Sequence, residues 1–332
     1  MAQSSLVAMT PPILLAVPNV SEGRDRRTIA AVGEALAGVG GPKGSPSGNG
    51  ETGSRGDGAR GMPAEAVRLL DWHSDEDHHR SVFTLCGRPG VLGEALLRGA
   101  REAVERIDVM TDPGRDGEHP YVGALDVAPV VYLDARARGA ACAEALVVAD
   151  RIGHELQVPV FLYGELTGAD HQSGRTRSEL RRGGVIGLAE RIAMGQAPDF
   201  GPGRMHPTAG ATLVAAREPL VAFNLRLAPP AEVEDARRIA ALVREGGSEG
   251  LSGVRAMGVA MSGGVAQVSM NVERPLEVPL ARVIEAVRRH ARVDSAEIVG
   301  LAPDVALEGF PDDVPLPGFD PARQVIENAL GF

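Results

Sequence analysis

The chain has 332 residues, of which 44% are apolar and only 3% aromatic, so a sizeable core must be built from Val, Leu, Ile and Ala. Its 44 acidic residues outnumber the 34 basic ones, and the net charge of −10 argues against a nucleic-acid partner, because a phosphate backbone binds basic surfaces. We find no run of about 18 apolar residues and no signal-peptide pattern in residues 1–10, so we expect no membrane contact and a cytoplasmic protein. Cys86 and Cys142 are expected to be free thiols.

Strands and helices are predicted to alternate through the first half of the chain. Residues 13–17 have the composition of a short buried strand, and Asp25 can cap a helix whose apolar residues recur at helical spacing. The Gly-, Ser- and Pro-rich stretch 38–61 cannot bury enough apolar surface to offset its ordering entropy, so we predict a disordered insertion there. A helix is expected to lead into 67–70, followed by a charged loop over 71–80. Further strands are predicted over 81–86, 127–133 and 158–163, with long helices between them.

The second half is predicted to run strand, strand, helix, hairpin, helix, strand, beginning near Gly210. Strands are expected over 211–215, 221–227 and 297–301, and a hairpin over 254–272. In its second strand, apolar residues alternate with Gln267, Ser269 and Asn271, so one face is apolar and the other polar. We therefore predict an α+β fold with subdomains at 1–209 and 210–332, each a mixed sheet with helices on one face, and a ligand cleft between them.

His119 is the strongest catalytic candidate that the residues indicate by themselves. It lies between a predicted helix and a predicted strand, is braced by Pro120 and is followed by Gly123. Histidine both gives and takes a proton near neutral pH, so a fixed imidazole suits general acid–base chemistry. The competing interpretation is an ordinary surface histidine.

Segment 71–80 combines three histidines with four carboxylates, which raises the hypothesis of a metal-dependent hydrolase. Its ligands would be His73, Asp75, Asp77, His78 and His79. The spacing matches no standard zinc motif, and a solvated charged loop is the alternative, so we predict no metal.

Two further segments could bind a ligand. Arg175, Arg177, Arg181 and Arg182 could supply guanidinium groups to the carboxylates of a substrate, although a solvated basic face is the alternative. The Pro- and Gly-rich stretch 197–212 is typical of a loop that wraps a ligand, or of a plain connector between domains.

Together these segments resemble glutamate formiminotransferase. The motif Gly117-Glu118-His119-Pro120 is one of an ordered set that covers nearly the whole chain outside the predicted insertion. The other matching segments are 17–23, 80–84, 123–127, 158–165, 198–202, 210–212, 222–224, 266–271 and 299–301. The extra cyclodeaminase domain of the animal bifunctional enzyme is not expected here.

The resemblance implies a transferase that moves a formimino group from N-formimino-L-glutamate, or a related formimino amino acid, to N5 of tetrahydrofolate. It implies a homodimer with a folate site between two α/β subdomains, and His119 at the position of the catalytic histidine. The folate-binding loop would comprise Gly201, Pro202, Gly203, Arg204, Met205, His206, Pro207, Thr208, Ala209 and Gly210. We predict substrate contacts from Asn19, His79, Arg80, Tyr121, Arg175, Asn224 and Gln267.

The sequence departs from the family pattern at three positions. His79 stands where Asn is usual, Tyr121 stands where Arg is usual, and an acidic residue expected near His73 is displaced. Tyrosine cannot supply the positive charge of an arginine. These departures keep open a second hypothesis, a folate-binding protein of the same fold without transferase activity.

Overall fold

The computed structural model describes residues 11–38, 63, 66–111, 120–168 and 174–331. These residues form two β-sheets flanked by helices, which confirms the predicted α+β class. The strands are β1 (Leu14–Ala16), β2 (Asn19–Val20), β3 (Val67–Asp75), β4 (Arg80–Gly87), β5 (Leu125–Val131), β6 (Val160–Leu162), β7 (Thr212–Arg217), β8 (Val221–Leu227), β9 (Val254–Met261), β10 (Val265–Val272) and β11 (Val293–Val299). The helices are α1 (Arg26–Ala37), α2 (Val91–Arg106), α3 (Arg138–Glu155), α4 (Arg177–Leu180), α5 (Gly184–Ala193), α6 (Val233–Val243), α7 (Leu280–Arg288), α8 (Pro321–Gln324) and α9 (Ile326–Leu330).

The first sheet has seven strands and is mixed. The short strands β1 and β2 both lie between β4 and β5, and β3 pairs with β4 at one edge. At the other edge β5, β7 and β6 run parallel to one another. Pro18 stands between β1 and β2, where a residue without an N–H interrupts the ladder.

The three long helices α1, α2 and α3 cover one face of this sheet and bury its largest apolar core. Helix α1 begins at Asp25, whose carboxylate accepts a hydrogen bond from the backbone N–H of Arg27, so the predicted cap is confirmed. Side chains on the opposite face alternate with those of the core, as the pleat requires. The short helices α4 and α5 pack at one end of that opposite face, and α9 packs at the other.

The second sheet has the order β11-β8-β10-β9 and is wholly antiparallel rather than mixed. Helices α6 and α7 pack on one of its faces around Phe223, Leu225 and Val268. The predicted alternation in β10 is confirmed, because Ala266, Val268 and Met270 join this core while Ser269 and Asn271 face the first sheet.

One predicted strand lies in a different sheet from the one expected, and one segment has a different secondary structure. Strand β7 is hydrogen-bonded to β5 and β6 in the first sheet, so the second block does not begin with it; where the subdomains divide stays a prediction. The helix expected before 70 and the loop expected after it are instead one strand, β3, which forms a hairpin with β4. The predicted insertion at 38–61 lies, apart from Gly38, outside the described residues.

Candidate functional site

A cavity lies between the two sheets, where the prediction placed a ligand cleft. Its first wall comes from strands β1, β2, β4 and β5, and its second wall from β8, β10 and β11. The first wall includes Leu15, Val17, Asn19, Val82, Thr84, Val127, Pro129 and Val131. The second wall includes Ala222, Asn224, Ser269, Asn271 and Val299. The walls are thus largely apolar, with amide and hydroxyl groups at intervals.

Arg80 and Asp126 anchor a charged group on the first wall. The Nε of Arg80 donates to Oδ1 of Asn19 at 2.8 Å, and its Nη1 lies 3.8 Å from Oδ2 of Asp126. Asp126, which is 2% exposed, also accepts from the backbone N–H of Val122 at 2.9 Å and from the guanidinium of Arg181. One buried carboxylate therefore serves two guanidinium groups.

Two more arginines, Arg177 and Arg217, line the cavity close to this group. The guanidinium of Arg177 makes no hydrogen bond or ion pair within the described ranges, and Arg217 donates through Nη1 to the carbonyl of Glu218 at 2.8 Å. Burial lowers the pKa of Arg217 to about 10, so it remains protonated at neutral pH. We call Arg80, Arg177, Arg181 and Arg217 the cationic cluster. Within this cluster, Asp126 forms ion pairs with Arg80 and Arg181.

Beside the second wall lies the carboxylate of Glu297, which does not itself line the cavity but contacts Asn224, a residue that does. Glu297 of β11 is opposite Asn224 of β8, and the Nδ2 of Asn224 donates to Oε2 of Glu297 at 2.8 Å. From the first sheet, Nε2 of His73 lies 3.9 Å from Oε1 of Glu297. Nearby on β3, burial raises the pKa of the Asp71 carboxyl.

His79 has a structural partner in the turn between β3 and β4. Its Nδ1 accepts from the backbone N–H of Gly23 at 3.1 Å, and Glu22 Oε1 lies 3.5 Å from the same nitrogen. Its φ of +48° is left-handed, a conformation in which Asn and His are both enriched. Asn would supply the same acceptor and adopt the same backbone, so this departure from the family pattern is structurally conservative.

The histidines and carboxylates of 71–80 do not converge. Asp77 accepts from the backbone N–H of Ser262 at 3.0 Å, Asp75 accepts from the backbone N–H of His78 at 2.7 Å, and His79 points at Gly23. Among the described residues no three His, Cys, Asp or Glu side chains form a group that could hold a metal ion. The metal-dependent hydrolase hypothesis therefore has no assembled ligand set in this segment.

The predicted folate-binding loop, 201–210, does not line the described cavity. Two backbone hydrogen bonds hold the end of this loop in place. The N–H of Ala124, in the segment that follows His119, donates to the carbonyl of Ala209 at 2.9 Å, and the N–H of Val109 donates to the carbonyl of Thr208 at 2.9 Å. Within the loop, Nδ1 of His206 accepts from the backbone N–H of Ala209 at 3.0 Å, and burial lowers the pKa of this histidine. Its role toward folate stays a prediction.

The structure divides the predicted substrate contacts into two groups. Asn19, Arg80 and Asn224 line the cavity, whereas Arg175 instead binds Asp199 at 2.5 Å. Three more of the predicted contacts, His79, Tyr121 and Gln267, do not line the cavity either. Tyr121 packs against the core of the first sheet, and Gln267 is fully buried. His119 lies outside the described residues.

Sequence reasoning missed Arg177, Arg217 and Glu297 as individual site residues. Arg177 belonged to the arginine-rich segment that could bind a carboxylate, and this was the signal that could have found it. Arg217 and Glu297 stand at or near the ends of ordinary strands, and nothing in the local sequence distinguishes them from surface charges.

A model of the formiminotransferase domain, N-terminal subdomain, matches residues 13–217, the stretch that contains all seven strands of the first sheet. A glutamate formimidoyltransferase of Streptococcus pyogenes serotype M1 is 36% identical over 280 residues, which are 82% of this chain and 91% of that relative. The chain belongs to the formiminotransferase family. The resemblance inferred from the sequence is thereby confirmed, as is the expectation of a transferase.

Other members of the family agree with this assignment. A glutamate formimidoyltransferase of Thermoplasma acidophilum is 32% identical over 299 residues, 88% of each chain. The formimidoyltransferase-cyclodeaminase of Mus musculus is 33% identical over 307 residues, 88% of this chain and 50% of the mouse enzyme, so this chain spans about half the length of the mouse protein. No helix within the described ranges has the length and apolarity needed to cross a membrane.

Proposed function

We propose that this chain transfers a formimino group from an acidic formimino amino acid, N-formimino-L-glutamate or a relative, to N5 of tetrahydrofolate. The observation that carries the proposal is the cationic cluster. Three of its guanidinium groups, those of Arg80, Arg177 and Arg217, line the cavity, and guanidinium binds carboxylates through paired charge-assisted hydrogen bonds, so this wall suits an anionic ligand.

Arg177 is the residue to which we assign a carboxylate of the donor. Its guanidinium lines the cavity and makes no ion pair with other described residues, so it is available to the substrate. Arg217, whose buried Nε lacks a hydrogen-bond partner in the described chain, would support it. This cluster supplies the positive charge that Tyr121 cannot.

His119 would move the proton. In the reaction, N5 of tetrahydrofolate forms a bond to the amidine carbon while the bond from that carbon to the amino acid nitrogen breaks. N5 loses a proton and the departing amine gains one, so a single imidazole can accept the first and deliver the second. We also propose that the loop 201–210 contacts the folate, and that the protein acts as a homodimer in the cytoplasm.

Steady-state kinetics with formiminoglutamate and tetrahydrofolate test the proposal. We expect R177Q to raise the KM for the donor roughly 10- to 100-fold, the effect of losing a charged hydrogen bond, with little change in the KM for folate. R182Q removes an exposed arginine five residues away and should leave both constants unchanged. H119Q should lower kcat by about 10²–10⁴-fold.

Two results would contradict the proposal. If wild-type protein binds folate but transfers nothing from any acidic formimino amino acid, the second hypothesis, a folate-binding protein without activity, replaces it. If transfer occurs and R177Q behaves like R182Q, the cationic cluster is not the donor site.

A further inference from the structure

Glu297 bridges the two sheets at a point that the proposed donor site does not use. Its partner Asn224 lines the cavity on the second wall, and His73 lines it on the first. The carboxylate lies between them, with Oε2 bound by Asn224 and Oε1 facing His73 at 3.9 Å, which is beyond hydrogen-bond distance. The Glu297 side chain is only 25% exposed.

The other carboxylates near the cavity are already engaged. Asp126 serves Arg80 and Arg181, and Asp75 accepts from the backbone of His78. Glu297 differs because Oε1 accepts no hydrogen bond from any residue in the described ranges. A carboxylate oxygen that is largely withdrawn from water is stabilised by a donor, so this atom is available to a ligand.

The surroundings of Glu297 suit a flat heterocycle. The first wall presents the apolar side chains of Val82, Val127 and Pro129, and the second wall opposite them presents the small residues Ala222 and Ser269. A planar ring can lie between two such faces while hydrogen-bonding groups at its edge reach the polar residues. The pyrimidine half of a pterin carries an N–H and an amino group side by side, which are two parallel donors, and a carboxylate is the complementary acceptor.

We infer that Glu297, held by Asn224 and facing His73, binds the N3–H and 2-amino group of the pterin of the folate co-substrate. The inference rests on the proposed function and adds a specificity-determining residue to it. The cationic cluster would repel these donors and attract carboxylates, so the two charged regions suit different ligand groups. Because N5 belongs to the other ring of the pterin, an anchor at Glu297 also fixes the direction in which N5 faces.

The test compares two ligands on three proteins by calorimetry. The ligands are folic acid and the analogue in which a methyl group replaces the 2-amino group. We expect wild-type protein to bind folic acid roughly 10- to 100-fold more tightly than the analogue. In E297Q we expect folic acid to weaken by a similar factor and the two ligands to bind within about 3-fold of each other. D294N alters an exposed carboxylate of the same strand and should behave as wild type.

The comparison on wild-type protein needs no variant, so a folding defect in E297Q cannot obscure it. If wild-type protein binds both ligands equally, or if E297Q keeps the full preference for folic acid over the analogue, Glu297 does not bind the 2-amino group of the pterin. Transfer activity separates this failure from a wider one. If wild-type protein transfers the formimino group but binds folic acid and the analogue equally, this inference alone is overturned. If wild-type protein binds no folate, the proposed function is overturned as well.

Discussion

Replacing Asp126 by Asn tests whether one carboxylate neutralises the cationic cluster. Asp126 is 2% exposed and contacts Arg80 and Arg181, which are themselves largely buried. Asparagine has nearly the same shape, and its Oδ1 can still accept from the backbone N–H of Val122. The substitution removes the charge and replaces Oδ2, which accepts from Arg181, by an amide nitrogen that cannot accept.

The expected loss of stability follows from the burial of the partners. At an effective dielectric constant of about 20, unit charges 3.8 Å apart, the distance from Arg80 to Asp126, attract by about 4 kcal/mol. Removing one member of a buried pair typically costs about 3–5 kcal/mol, because the remaining charge is left without compensation. We expect D126N to lower the free energy of unfolding by this amount.

Urea denaturation at neutral pH measures the effect, with an unchanged m-value as evidence that the unfolding transition is the same. D134N is the matched control, since Asp134 also pairs with an arginine, Arg136, but both side chains are exposed. Its denaturation midpoint should not move. In D126N, adding R181Q should restore part of the lost stability, because it removes one uncompensated charge. A loss below about 1 kcal/mol in D126N, the range of surface pairs, would refute the buried-charge reasoning.

Three further predictions concern the backbone around the site. Burial lowers the pKa of His206 below 6.5, so the stability that its neutral ring gives the loop is complete above pH 6.5 and is lost as the pH falls; the protection of the amides of 206–210 relative to their intrinsic exchange rates should fall in acid, and H206N should remove that change in protection. G123A would place a methyl group 1.8 Å from a backbone oxygen of the neighbouring strand and should lower the melting temperature and the activity sharply, whereas G139A, with open space around it, should do neither. H79N should retain wild-type stability while H79A loses about 1–3 kcal/mol by leaving the buried N–H of Gly23 without its acceptor, and equal stability of the two variants would contradict this.

Local sequence predicted the strands whose pattern is regular and missed β3, whose pattern is not. In β10 the alternation of apolar and polar residues identifies both the strand and the face on which Ser269 and Asn271 line the cavity. In β3 the pairing with β4 shifts register between Leu69 and Asp71, so two adjacent leucines interrupt the alternation. A bulge of this kind hides the period of 2 on which the sequence argument depends, and the run then resembles the end of a helix.

Strand β7 shows a different limit. Its buried run of Leu, Val and Ala predicts a strand correctly, but its partners β5 and β6 lie earlier in the chain. The pairing is parallel and non-local, so no turn between neighbouring strands fixes it. The composition of a doubly buried strand is the same in either sheet.

Arg175 and Arg177 show why site residues are harder to assign than strands. They are two positions apart in one arginine-rich segment, and both are suitable for binding a carboxylate. Arg175 precedes α4 and is neutralised by Asp199, whereas Arg177 opens that helix and its guanidinium lines the cavity. The difference depends on where α4 begins and on a partner distant in the sequence.

The charge distribution in the cavity also bears on which hypothesis is correct. Buried ion pairs seldom stabilise a fold relative to apolar residues of the same size, because desolvation offsets their attraction. In the cationic cluster Asp126 pairs with Arg80 and Arg181, whereas the guanidinium of Arg177 forms no ion pair with other described residues and so adds none to the stability of the fold. Folate carries carboxylates on its glutamate tail as well as donors on its pterin, so a protein that only bound folate could use both regions. The two hypotheses therefore differ in whether the guanidinium of Arg177 binds the donor amino acid, and the donor KM of R177Q distinguishes them.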